Sequence, residues 1–280
     1  RSIRVPVVLH WHADVFSPEV RLALRLAYPA YRPFEQALLR RADAVIATSP
    51  DYLASSGALR GWRDKCTVVP LGMDPRRVES GAGKVTGAAG WRDPGALKVL
   101  AVGRLARYKG LGWLVRAVAG VPAVELVIVG DGEERRELEA AVEELGLRDR
   151  VRLVGSVDDA ARNAWLASCD LLCLPSVNRN EAFGVVLLEA MALGKPCLVT
   201  RVPGAGMSWV VEDGRTGWHV EPADAAGLAG CLADIAAHRE RLGPLGQNAR
   251  ERFQARFAID AALAQTVEVY RGVLGVGSAA

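Results

Sequence analysis

Two acids, Glu181 and Glu189, stand in the stretch E-A-F-G-V-V-L-L-E-A-M-A-L-G-K-P (181–196), with a glycine and an apolar helical run between them. Just before it, D-L-L-C-L-P (170–175) is a short apolar run bounded by an acid and a proline, the pattern of a buried parallel strand. A helix that begins near Gly184 and is stopped by Gly194 and Pro196 puts Glu181 on the loop before it and Glu189 about one turn inside. Acids so placed do not share one proton-transfer task; they suit two separate parts of one elongated ligand. The start of a helix offers unpaired N–H groups and a positive dipole end, which favour a phosphate between the acids. The implied ligand has a phosphate in its middle and hydroxyls at both ends, which is the plan of a nucleotide sugar.

Other residues supply charge to match. In V-G-R-L-A-R-Y-K-G (102–110), Arg104 and Lys109 fall in the loop between a strand and a helix. The arginine can fork onto a diphosphate and the lysine can act as a mobile point charge; solvated loop cations are the lesser reading, given their position. G-D-G-E-E-R (130–135) begins like a dinucleotide fingerprint, but Arg135 stands where the third glycine belongs. Gly130 and Gly132 are better explained as a tight turn at a strand end, with Glu133 and Glu134 favouring a helix start. His10 and His12 share a face of an extended chain, and only Asp14 stands near as a third ligand for a metal. A hydrogen-bonding His12 at a crevice is therefore preferred, and for His10 a plain core histidine is equally open. There is no D-x-D and no carboxylate pair placed to hold a nucleotide-bound metal, so the expected chemistry needs neither a metal nor a cofactor. Glu189 lies among Leu187, Leu188, Ala190 and Met191, where an unpaired carboxylate would be costly and a purely surface role fits badly.

The elements that must position these residues alternate between strand and helix. In the first part a strand is expected at 5–9, a strand and cap at 42–50, a short helix at 51–59, and a strand and turn at 66–74. A helical stretch at 18–41, broken by Pro29 and Pro33, carries Arg21, Arg25, Arg32, Arg40 and Arg41. That arginine face is read first as solvated; laid against anionic headgroups it would touch the inner membrane surface. Residues 76–95 are rich in Gly, Ala and charge without a period, and read as a linker. Beyond it come six strands, near 98–102, 125–129, 151–154, 170–174, 196–200 and 218–221. Helices fall near 111–118, 133–145, 159–167, 184–193, 225–237, 244–257 and 259–274. This alternation predicts a parallel sheet covered on both faces.

Composition bounds the rest. At 280 residues, half of them hydrophobic, the chain can build two ordinary cores, and its net charge of +3 is too small to imply nucleic acid. No apolar run approaches the roughly 18 residues of a spanning helix, and no signal peptide is visible. The five scattered cysteines suggest reduced core thiols and a cytoplasmic setting, with no disulfide framework or zinc site.

Taken together, V-G-R-L-A-R-Y-K-G, L-V-I-V-G-D-G, the glutamate pair, G-K-P and G-R-T-G-W-H-V-E-P (214–222) resemble the retaining glycosyltransferases of the two-Rossmann-domain (GT-B) architecture, family 4, group 1. In the first part, H-W-H-A-D, R-R-A-D-A-V-I-A-T-S-P and V-V-P-L-G-M-D look like the corresponding family segments. The resemblance spans nearly the whole chain and keeps the family's order. It implies an α/β fold of two Rossmann-like domains, the first incomplete because such enzymes begin with a strand and glycine-rich loop upstream of Arg1, the second with a six-stranded parallel sheet. The expected partition is 1–92, 93–258, and a final helix, 259–280, crossing back to the first domain. By the same resemblance Arg104 and Lys109 would hold the donor diphosphate, and Glu181 would contact the donor sugar. Backbone at Phe183, Gly184 and Val185 would help, Glu189 would bind the ribose, backbone near Ser156 would meet the base, and His12 would sit near sugar and acceptor. The implied activity is metal-independent transfer of a hexose, mannose by the flavour of the motifs, from a nucleotide-diphosphate sugar to a saccharide or lipid-linked acceptor in polysaccharide or glycolipid synthesis. A nucleotide-sugar epimerase of the same architecture and a non-catalytic nucleotide-sugar-binding module are the alternatives.

Overall fold

The computed structural model of the chain describes residues 5–15, 22–82 and 90–275. Arg21, the Gly-rich residues 83–89 and the last residues, 276–280, lie outside them. The first half contains β1 (Val8–Trp11), α1 (Leu22–Arg41), β2 (Ala44–Ala47), α2 (Pro50–Ser55), β3 (Cys66–Val68) and α3 (Arg76–Ala82). Its three strands form a parallel sheet in the order β1-β2-β3, with Val8 opposite Ala44 and Val45 opposite Cys66. The S-P pair after β2 works as the sequence suggests: Ser49 Oγ accepts from the Tyr52 N–H at 3.2 Å, and Pro50 opens α2, where its missing N–H does no harm.

Three expectations for this half need correcting. The first strand starts later than 5–9, because Pro6 has no N–H for a ladder and the Val7 carbonyl accepts from the Asp43 N–H at 2.8 Å instead. His10 therefore lies within β1, and His12 is the first residue after it. Second, α1 runs unbroken through Pro29 and Pro33. Both prolines are exposed and four residues apart, so the carbonyls deprived of an N–H partner face water on one side of the helix. Arg25, Arg32, Arg40 and Arg41 are likewise exposed along it. Third, the expected linker opens as α3, which packs on α6 (Asp159–Ser168) and buries Val78 completely.

The second half contains β4 (Leu97–Val102), α4 (Leu111–Ala119), β5 (Val124–Val129), α5 (Arg135–Glu144), β6 (Val151–Gly155), α6, β7 (Leu171–Leu174), α7 (Val185–Ala192), β8 (Cys197–Thr200), α8 (Met207–Val210), β9 (Gly217–Val220), α9 (Ala225–Ala237), α10 (Leu242–Arg252) and α11 (Ile259–Leu274). Its six strands are all parallel, in the order β6-β5-β4-β7-β8-β9. Successive strand residues feed two cores. Val99, Leu126, Ile128, Leu171, Cys173 and Leu198 pack under α4, α5 and α9, while Leu100, Val127, Leu172, Leu174, Cys197 and Val199 pack under α6, α7 and α10. Burial on both faces explains why these strands are apolar runs and not alternating ones. The helix expected at 244–257 continues past α10 as a widened π turn at Phe253–Phe257, with both phenylalanines buried. All five cysteines are free; Cys169, Cys173 and Cys197 are buried, and burial pushes the Cys169 thiol up to about 12. Among the described residues no helix is long and apolar enough to cross a membrane.

Candidate donor site

The strand order of the second sheet reverses between β4 and β7: from β4 the chain builds outward through β5 and β6, then returns to lay β7 on the other side. In open α/β sheets, ligands bind outside the carboxyl ends of the strands at this switch point. Two loops emerge there, 103–110 after β4 and 175–184 after β7, and the acids and cations singled out in the sequence lie on them or just behind.

The two loops are locked together. Gly110 adopts φ +65°, and a Cβ there would fall 2.1 Å from the Pro175 carbonyl oxygen, so only glycine allows the approach. The Val177 N–H donates to the Tyr108 carbonyl at 2.8 Å. This contact brings Lys109 onto Glu181: Lys109 Nζ donates to Glu181 Oε2, and both side chains are only 12% exposed. Ser176 Oγ, at 3.3 Å, donates to the same oxygen, and Thr200 Oγ1 donates to the Ser176 carbonyl. Lys109 Nζ also stands 5.5 Å from the centre of the Tyr108 ring. Behind the first loop, Gly130 at φ +136° lies so close that a Cβ would fall 1.9 Å from the Gly103 carbonyl oxygen. The glycines of G-D-G thus serve the turn and the close packing of neighbouring loops.

Gly184, at φ +82°, caps the start of α7, and Val185 in its first position is 45% exposed. Glu189 sits further along α7, 7% exposed, with Arg162 Nη2 of α6 at 3.6 Å from Oε1. No hydrogen bond to its carboxylate is found among the described residues. Burial raises its pKa above the ordinary value, and Arg162 and Arg77 oppose the rise. The Arg104 side chain is exposed, with no ion pair or hydrogen bond among the described residues.

Not every residue singled out converges. Phe183 is buried against Trp209 and Phe257, ring centres 6.4 and 6.2 Å away, so its side chain shapes the α7 entry from below. Ser156 is exposed just after β6, two strands away from β4. His12 is exposed, its ring 6.3 Å from that of His10, and the two line a cavity of about 180 Å³ with Thr48 and Ile259. His10 is not a core histidine: it is exposed, with Nε2 at 3.0 Å from the Tyr270 hydroxyl. Asp14 is engaged by Trp11 Nε1 at 2.9 Å, Ser56 Oγ at 2.6 Å and Arg179 Nη2 at 3.3 Å. Sequence reasoning missed Ser176, Arg162 and Arg179. Arg162 and Arg179 meet their partners on other elements, and Ser176 meets Glu181 only through the fold of their shared loop, so nothing in the local pattern marks them.

The family pattern described as Glycosyl transferases group 1 matches residues 96–238, and that described as Glycosyl transferase 4-like domain matches residues 1–72. The D-rhamnosyltransferase WbpZ of Pseudomonas aeruginosa is 34% identical over 253 residues, covering 90% of this chain and 64% of that protein. The O-antigen chain mannosyltransferase C of Escherichia coli is 30% identical over 268 residues, covering 95% of this chain and 69% of that protein. Anabaena HepE in complex with UDP-glucose superposes with a TM-score of 0.75 at 27% identity, over 96% of this chain and 73% of that one. The chain belongs to the group 1 glycosyl transferases, of family 4 type, and has their GT-B fold. It spans roughly two thirds of the length of these curated relatives.

Proposed function

We propose that this chain carries the donor side of a retaining glycosyltransferase that moves a hexose, with mannose the first to test, from a nucleotide-diphosphate sugar to an acceptor hydroxyl in polysaccharide or glycolipid synthesis. The observation that carries this reading is the Lys109–Glu181 contact at the reversal of the second sheet. A lysine and a carboxylate joined there can part, the cation turning to a diphosphate and the acid to sugar hydroxyls. Arg104 adds a cation uncommitted among the described residues, and the start of α7, where Val185 is exposed, offers N–H groups to the same phosphates. Glu189, buried and without a hydrogen-bond donor among the described residues, has acceptor capacity for ribose hydroxyls. Backbone near Ser156 would meet the base, and His12 would face the sugar and the acceptor. As the sugar–phosphate bond breaks, positive charge gathers on the sugar ring and negative charge on the departing diphosphate. Arg104, Lys109 and the helix start would stabilise the latter in place of a metal. The names of the relatives, a rhamnosyltransferase and a mannosyltransferase, and a fold neighbour in complex with UDP-glucose support a sugar-nucleotide donor.

The test is a thermal-shift panel of UDP-, GDP- and ADP-sugars, followed by product analysis with the donor that shifts most, with and without EDTA. Transfer to an added acceptor, unaffected by EDTA, is the expected result. Conversion of the donor without acceptor would make the protein an epimerase; binding without turnover would make it a binding module; no binding at all would reject the site. Co-sedimentation with anionic vesicles would show whether the arginines of α1 meet a membrane surface; a chain left in the supernatant would assign them to solvent.

A further inference from the structure

Arg179 lies two residues before Glu181, yet its guanidinium reaches out of the second half. Nη2 donates to Asp14 Oδ2 at 3.3 Å, and the guanidinium carbon stands 4.7 Å from the centre of the Tyr52 ring. Asp14 follows β1 and Tyr52 belongs to α2, so both partners are in the first half. Asp14 is itself pinned: besides accepting from Trp11 and Ser56, its N–H donates to the Tyr52 hydroxyl at 2.5 Å. The two charged side chains are 6% and 18% exposed, so solvent screens the pair little, and the ring face adds its own attraction for the cation.

The other end of this bridge is stiff as well. The Glu181 N–H donates to the Asn178 carbonyl at 3.2 Å, closing a four-residue turn, and Asn178 Oδ1 accepts from the Asn180 N–H at 3.0 Å. Arg179 and Glu181 share that turn, so a force on one is passed through a single hydrogen-bonded turn to the other. Immediately beyond it, the Ala182 carbonyl accepts from the Gly206 N–H at 2.8 Å. The segment holding Gly206 is in turn held from the first half, where Ser55 Oγ donates to the Gly204 carbonyl at 3.1 Å. The first half thus bears on the Glu181 turn from both sides.

We propose that Arg179 is a positioning residue that fastens the turn carrying Glu181 to Asp14 of the first half, so that the place of this carboxylate depends on contact between the halves. A donor bound while the halves are apart would then meet a Glu181 that is not yet fixed, which restrains reaction with water until the cleft is formed. The kinetic consequence rests on the glycosyltransferase reading; the bridge itself does not.

Hydrogen exchange of residues 175–184 tests the bridge without any donor, in the parent chain and in Arg179→Gln, Asp14→Asn and the double variant. Each single change is expected to speed exchange of this segment about tenfold, and the double to exceed neither by more than about twofold, because all three remove one interaction. Arg179→Lys keeps a charge within reach of Asp14, guards against a general loss of fold, and should return exchange to within about threefold of the parent. Unchanged exchange in Arg179→Gln, or effects that multiply in the double variant, would overturn the proposal. In the kinetic arm, Arg179→Gln should lower kcat about tenfold while nucleoside diphosphate affinity moves less than about twofold. Equal losses in both would make Arg179 a ligand contact instead, and would also overturn it. If the parent chain transfers no sugar from any donor, the functional reading fails while the exchange arm still decides the bridge.

Discussion

Glu189 is buried in α7 beside Arg162, and desolvation raises its carboxyl pKa in the folded chain. A group whose folded pKa is raised binds its proton more tightly when folded. It therefore adds stability below its unfolded pKa and loses that contribution as pH rises through the folded value. Glu189→Gln, which cannot ionise, is expected to flatten the decline of melting temperature from the ordinary carboxylate range upward, and to weaken nucleoside diphosphate binding. A melting curve series across pH that runs parallel for parent and variant would refute the burial argument. The sequence already made this carboxylate expensive, since its neighbours Leu188 and Ala190 are apolar. What it could not give was Arg162, which meets Glu189 only because α6 packs on α7. Arg104 poses the opposite case, an exposed cation with no protein partner among the described residues. Arg104→Ala should reduce nucleoside diphosphate binding by about 1.5–3 kcal/mol, the usual worth of a charged hydrogen bond, and calorimetry reads this directly. Glu181 differs again, because its proposed partner is the sugar. Glu181→Gln should lower kcat well beyond any loss of nucleotide affinity, and parallel losses would remove it from the sugar site.

At the scale of elements, the proposed site depends on the meeting of the loops after β4 and β7, and Gly110 is where they approach most closely. An alanine there would combine a positive φ with a Cβ 2.1 Å from the Pro175 carbonyl oxygen. Gly110→Ala is expected to destabilise the chain by more than about 1 kcal/mol and to part Lys109 from Glu181, lowering donor affinity as well as melting temperature. A stable variant with unaltered affinity would show that this approach is dispensable. Much of this frame was legible in the sequence. The strands β4 to β9 lie within a residue or two of the expected positions, because runs buried on both faces leave a strong apolar signature between polar turns. The bounds of α9 and α11 coincide with those expected. The failures have one physical origin, which is that tertiary contacts outweigh local propensity. α1 passes two prolines while Glu35 and Leu39 are buried on its other side, and α3 forms from a polar, Gly-containing stretch while Val78 is covered by α6. The contact between Lys109 and Glu181, 72 residues apart, follows from strand order, which periodicity does not encode.

Across the whole molecule, the halves are unequal. In the first, the buried apolar cluster among the described residues comprises Leu39, Ala42, Val45, Ala47 and Leu59 beneath a three-stranded sheet. The second has a core on each face of a six-stranded sheet. Beside the Arg179 bridge, the halves are tied where the chain crosses between them. The Met73 N–H donates to the Phe257 carbonyl at 2.9 Å and the Ile259 N–H to the Met73 carbonyl at 3.0 Å, and α11 then lies against β2. The packing of α3 on α6 and the Ser55 bond to Gly204 add to these ties, but the first half's own core is small beside the two of the second. The first half should therefore melt at a lower temperature, giving two transitions in calorimetry and not one. A nucleoside diphosphate held, as proposed, by the loops after β4 and β7 would bind the second half, so it should raise the upper transition and leave the lower one nearly in place. Saturation at one hundred times Kd corresponds to about 2.7 kcal/mol on that transition. Arg179→Gln should widen the gap by lowering the first transition, since it removes a contact that the small core relies on. A single transition that moves as a whole with ligand would mean that the crossings couple the halves more strongly than their cores differ, and the expectation of independent melting would then be wrong.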